Sequence, residues 1–181
     1  MLHLLRNGTF IAPFYVFIKS SEAATEDIIR VLQLSEWDLH EGPMEQTFQR
    51  DYRHFYLTRT EGWLHIMDDG YFTLWHDQAF RRRIPALSRY FPIFTCWVSD
   101  SDQSFGFQLF SKGNIVREYI VENADANRIV TFRNHGKPLK MEKEALQQKD
   151  PEDKVLSVAS GLGINVQHNL SDISVYWKKL G

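Results

Sequence analysis

Two short stretches of this 181-residue sequence hold the side chains best suited to chemistry. Ser99-Asp100-Ser101-Asp102 places carboxylates at alternate positions, a spacing that can present oxygens to a hard cation. The calcium-loop pattern needs a glycine and a downstream bidentate glutamate at fixed intervals, and here Phe105-Gly106-Phe107 follows instead. The simpler reading is a tight turn held by Asp and Ser bonds to its own backbone, with Asp100 and Asp102 open to a partner. The second stretch holds His65, Asp68, Asp69, His76 and Asp77. Imidazole and carboxylate together can bind zinc or iron, or act as base and acid. Strand alternation argues against convergence. His65 shares a face with Met67 and Asp69, His76 falls at a strand end, and Asp77 suits the N-cap of a following helix. No catalytic residue and no metal ligand is assigned here, and no cofactor is expected.

Other chemistry-bearing residues have plainer readings. Arg81-Arg82-Arg83 with Arg89 covers a helical turn and suits a solvated face paired with nearby acids. A nucleic-acid surface would want a net positive domain, whereas the net charge is -2, so nucleic acid is not an expected partner. Cys96 is the sole cysteine and lies between Phe94 and Val98 in a strand pattern. Burial there raises a thiol pKa and lowers its reactivity, and a lone cysteine forms no internal disulfide. The sequence has no Gly-x-Ser-x-Gly, phosphate-cradling glycine loop or His-Glu-x-x-His motif. Gly161-Leu162-Gly163 follows a helix pattern rather than preceding one, so it reads as a cap.

The elements that position these residues form a pattern that occurs twice. Residues 54–76 read as three strands broken at Thr60-Glu61-Gly62 and Asp69-Gly70, and residues 77–91 have helical periodicity. Asp69-Gly70 is the strongest hairpin signal, since both positions tolerate positive φ. Residues 93–121 read as three more strands, turning at residues 99–102 and at Lys112-Gly113-Asn114, and residues 150–162 form a helix opened by Asp150-Pro151. Aligning Gly70 with Gly113 keeps the apolar positions in phase, which suggests an internal βββα duplication. The apolar face of the 77–91 helix continues across Pro85, which favours one kinked helix over two.

Before these units, Ala12 to Lys19 is apolar on both faces and reads as a buried strand. A helix follows from Ser21 to about Leu34, and a loop spans residues 36–53. Residues 122–149 are mostly polar, with a short strand at Ile129 to Phe132. Residues 164–181 return as a strand or a short helix. The expected class is α+β, with antiparallel meanders alternating with helices packed on the sheet in one domain over residues 1–181.

Composition permits this. Apolar residues make up 43% and aromatics 14%, enough for a core and too apolar for global disorder. No segment approaches the roughly 18 apolar residues needed to cross a bilayer, and the N-terminal residues lack a cleavage pattern, so a cytoplasmic protein with no membrane partner is expected.

Trp63 through Asp69-Gly70 to Trp75, then Ser99-Asp100-Ser101-Asp102 before Phe105-Gly106-Phe107 and Lys112-Gly113-Asn114, resembles small bacterial proteins of the immunity type. The resemblance spans residues 63–121. It implies an α+β fold and a protein that neutralises a toxin by binding it; no contact residue carries over.

Three readings follow. The first is a non-catalytic domain that binds a protein, or a second copy of itself, through acidic turns at Asp68, Asp69, Asp100 and Asp102. Such loops suit a basic partner. The second is a small metal-dependent hydrolase using His65, Asp68, Asp100 and Asp102. The third is a ligand-binding domain whose sheet face carries Trp63, Trp75 and Trp97.

Overall fold

The computed structural model describes residues 5–6, 9–10, 12–39, 52–99, 101–125, 128–167 and 172–179. Two short strands, β1 (Leu5–Arg6) and β2 (Thr9–Phe10), pair only with each other. A nine-stranded antiparallel sheet is built from β3 (Phe14–Lys19), β4 (Asp38–Leu39), β5 (Tyr52–Thr60), β6 (Trp63–Asp68), β7 (Ile93–Ser99), β8 (Ser104–Ser111), β9 (Asn114–Asp125), β10 (Arg128–Gly136) and β11 (Ser174–Lys179). Their spatial order is β10-β9-β8-β7-β3-β6-β5-β11-β4. The helices are α1 (Thr25–Val31), α2 (Thr73–His76), α3 (Gln78–Leu87), α4 (Glu142–Ala145) and α5 (Pro151–Gly161). The fold is α+β with helices packed on the sheet, as expected.

β3 lies at the centre, paired to β6 on one side and β7 on the other. Its alternating residues feed two cores. Phe14, Val16 and Ile18 face Ile28 of α1 and Phe80, Ile84 and Leu87 of α3. Tyr15 and Phe17 face Val155, Val158 and Ala159 of α5. An antiparallel sheet often leaves one face wet; here helices cover both, which is why β3 reads as apolar on both of its faces. α3 runs across Pro85 as a single helix, and the Asp77 carboxylate accepts from Phe80 N at 2.9 Å, the N-cap its sequence position suggests.

Two tight turns are legible in the residues that form them. Glu61-Gly62 (φ 45° and 83°) joins β5 to β6, and Lys112-Gly113 (φ 53° and 83°) joins β8 to β9. Paired positive φ values match the right-handed twist of the flanking strands, and glycine takes the second position without steric cost.

The structure differs from expectation at four places. Residues 71–76 are not a third strand. The chain leaves β6 at Asp68 and enters α2 at Thr73, so Asp69-Gly70 is a strand-to-helix junction and not a hairpin. The first unit therefore supplies two strands to the sheet, the second supplies its expected three with β10 added after it, and the βββα repeat fails at the missing strand. The polar stretch after residue 121 forms most of a long ribbon, with β9 and β10 running to Asp125 and Gly136. Within residues 36–53, β4 pairs with β11, and residues 40–51 lie outside the described ones.

One buried ion pair ties this ribbon down. Arg117 on β9 is 1% exposed. Its Nε donates to Glu142 Oε2 at 2.8 Å, and its Nη2 donates to Glu142 Oε1. Nη1 donates to Asn134 Oδ1 and to His135 O, each at 2.7 Å. Glu142 also accepts from Leu139 N at 3.1 Å, so α4, β9 and β10 meet at one guanidinium. Removing one partner of such a pair strands the other charge in the interior. Glu142→Ala should therefore lower the unfolding free energy by about 3–5 kcal/mol in denaturant titration.

Candidate functional site

The site begins with two carboxylates at the end of β6. Asp68 and Asp69 are 0% and 2% exposed. Asp68 Oδ1 accepts from Asp69 N at 2.9 Å and from Leu74 N at 2.8 Å, and its Oδ2 accepts from Trp75 N at 2.8 Å. Asp69 Oδ1 accepts from Tyr71 N and Thr73 N at 3.0 and 3.1 Å. Its Oδ2 accepts from Thr73 Oγ1 and from His54 N on β5. These oxygens satisfy N–H groups that open α2 and have no helical carbonyl of their own. They also hold Phe72 at φ 57°, a left-handed conformation that a bulky residue adopts only when its surroundings enforce it. Asp68 and Asp69 are thus committed inside the protein, and the expectation that they meet a partner is corrected.

The junction fixes Trp75. Its ring lies edge-on to Phe14 at 5.2 Å and tilted by 43° to Trp97, also at 5.2 Å. Arg81 of α3 lies over the Trp75 ring, 4.8 Å from its centre. Trp97 on β7 pairs across the sheet with Gly106 on β8. A Cβ at Gly106 would come within 2.8 Å of Trp97 Nε1 and 3.0 Å of Ile120 Cγ1, so the glycine lets the indole lie against the strand.

Between these groups is a cavity of about 250 Å³. Phe14, Trp75 and Trp97 form its aromatic wall, with Ile84, Phe110 and Ile120 beside them. Arg81, Thr95, Gln108, Glu122 and Arg133 supply its polar lining. Arg133 approaches Glu118 and Glu122 only at 3.9 and 4.0 Å, beyond hydrogen-bond reach. Among the described residues Arg81 has no carboxylate partner. Arg133 brings the cavity lining to β10, the outer strand of the sheet, where Ile129, Val130 and Phe132 are 61%, 54% and 55% exposed.

The other expected site residues are dispersed. Trp63 packs in the core on the opposite face, under Lys19, so the three tryptophans share no pocket. Asp102 lies in the β7–β8 turn and its Oδ1 accepts from Ser104 N at 2.9 Å. Burial, the largest single cause, raises its pKa, but the Ser104 N–H and the Ser99 and Ser104 hydroxyls together outweigh it and hold the carboxyl below its usual range. Asp100 lies outside the described residues. His65 is buried within 2.9 Å of Thr60 Oγ1. Among the described residues no three His, Cys, Asp or Glu side chains converge as metal ligands. Cys96 is fully buried, and that burial pushes its thiol pKa well up, as its strand position suggested. Arg82 and Arg83 hydrogen-bond neutral oxygens, Gln78 Oε1 for the first and Leu32 O and Gln33 Oε1 for the second.

Sequence reasoning missed Arg81, Arg133 and Gly106 as site-formers. The usable signal was a glycine between aromatic residues, able to face a bulky ring on a neighbouring strand. Among the described residues no helix is long and apolar enough to cross a membrane. Comparison with protein-family models, curated proteins and solved structures returns no match.

Two outcomes follow from this geometry. Burial pushes the Asp68 carboxyl up to about 8; the Leu74, Trp75 and Asp69 N–H groups oppose this and the Asp69 charge adds to it. A carboxyl raised on folding favours the fold while protonated. That contribution is complete below about pH 4 and is lost as pH rises through about 8. Unfolding free energy measured across that window should fall with rising pH, and Asp68→Asn should flatten the slope. Separately, Gly106→Ala should cost about 1–3 kcal/mol in denaturant unfolding by forcing Trp97 or Ile120 aside.

Proposed function

We propose that the chain is a non-catalytic binding domain that holds a protein partner on β10, as an inhibitor of the immunity type would. The observation carrying this reading is the strand itself. β10 is nine residues long, lies outermost in the sheet, and is exposed at all but one of its positions. Soluble proteins normally shorten, charge or cover such an edge, because its open backbone groups recruit another strand. Here the edge also carries Ile129, Val130 and Phe132 in the open. An added strand would gain main-chain bonds along the edge and side-chain contacts on both faces.

The charge of the strand alters the partner first expected. Asp68 and Asp69 are buried, whereas Arg128, Arg133 and His135 lie on β10. A strand with acidic or neutral residues complements this edge better than a basic surface does. The buried Arg117–Glu142 pair anchors the ribbon from behind, which reduces the ordering cost of docking.

Photo-crosslinking in cells of the source organism tests the proposal. A crosslinker at position 130 should trap one protein, and Phe132→Lys should abolish the adduct without lowering the melting temperature. Labelling no stronger than that from position 153, on the exposed face of α5, would overturn the proposal.

A further inference from the structure

We infer that the cavity lined by Trp75 and Trp97 is a binding site for a small aromatic carboxylate, a function separate from strand docking on β10. Its chemistry narrows the ligand by elimination. At about 250 Å³ it lies below the roughly 300–1,000 Å³ typical of drug-sized sites, so one or two fused rings fit and a nucleotide does not. Three aromatic walls favour a flat ring, which can stack or lie edge-on against indole.

Charge then separates the aromatic candidates. The lining carries the guanidiniums of Arg81 and Arg133 and the carboxylate of Glu122, and Glu118 lies 3.9 Å from Arg133, so two acids sit beside Arg133 while none among the described residues pairs with Arg81. A purely apolar ligand would strip water from these charges and return nothing to them. A quaternary ammonium, the usual guest of an aromatic cage, would meet the Arg81 guanidinium already lying over the Trp75 ring. A phosphate dianion carries one charge more than Arg81 alone can match, with Glu118 and Glu122 beside Arg133. A single carboxylate on a ring matches the Arg81 guanidinium, which has no acid beside it among the described residues, and suits its planar fork.

Arg81 is available for this role, with Arg133 beside it. The Arg81 guanidinium lies over the Trp75 ring and makes no side-chain hydrogen bond or ion pair among the described residues. Arg133 is too far from Glu118 and Glu122 to donate to either. Glu122 in turn offers an acceptor for a ring N–H. The ligand class is therefore an aryl or heteroaryl monocarboxylate, either free or as the C-terminal residue of a chain ending in an aromatic.

Calorimetric titration of the purified chain with indole-3-carboxylate, indole-3-carboxamide, Gly-Gly-Trp and its C-terminal amide tests this. At least one acid should bind at a single site and exceed its amide by about tenfold or more, the usual worth of a charge-assisted bond. The double substitution Arg81→Gln and Arg133→Gln removes surface charge without opening the core, and it should erase that preference. Trp75→Ala should abolish binding of both acid and amide. Tighter binding of Gly-Gly-Trp identifies a chain terminus as the source, and binding of indole-3-carboxylate alone identifies a free acid; either result supports the site. Equal affinity for acid and amide, no binding at millimolar ligand, or an unchanged preference in a folded arginine variant overturns it.

Discussion

Backbone N–H groups at the start of a helix must find acceptors, and at the end of β6 they find them in Asp68 and Asp69. Five backbone N–H groups of the turn and of α2 converge on these two carboxyls. A sixth, His54 N, ties them to β5. Because the oxygens are buried, no water replaces any lost bond, so the chain has little freedom between Asp68 and Trp75. This explains how Phe72 is kept in the left-handed region and how a four-residue helix can present one indole at a fixed place. The cavity wall, the stacking of Arg81 and the approach of Trp75 to Trp97 all follow from that junction.

Much of the architecture was legible from residue pattern. The apolar residues on both faces of residues 12–19 marked a strand covered on two sides, and β3 is that strand. Glu61-Gly62 and Lys112-Gly113 gave two turns, and Asp77 gave the start of α3. The error at residues 71–76 has a physical cause. Tyr71, Thr73 and Trp75 alternate with Phe72 and Leu74 as a strand would, and Asp-Gly is a hairpin signal. Local pattern cannot show that the preceding carboxylates turn inward and serve as caps. Tertiary hydrogen bonding overrode both signals.

The candidate site was legible in part. Trp75 and Trp97 were singled out and do meet, whereas Trp63 lies on the other face. Which face a strand residue takes depends on register through β3, and the register of Trp63 opposite Lys19 is a long-range fact. Acidic residues in a polar stretch suggested contact surfaces, yet burial of Asp68 and Asp69 reverses that reading. Arg133 was invisible because it comes from a strand whose length the polar composition of residues 122–149 concealed. The ribbon and the cavity share that residue, so the two surfaces described here are neighbours without being one site.

The central place of β3 bears on how the molecule assembles. This strand precedes both of its partners in the chain, β6 and β7, at residues 63–68 and 93–99. Its six residues cannot be sandwiched until both have emerged, so an N-terminal fragment that stops short of β7 would leave an apolar strand edge open. Long-range pairing of this kind slows folding and prolongs exposure to aggregation. Synthesis on the ribosome should thus yield a collapsed, incomplete sheet until about residue 99 is clear of the exit tunnel, and the native topology should close late and cooperatively instead of growing outward from its first strand.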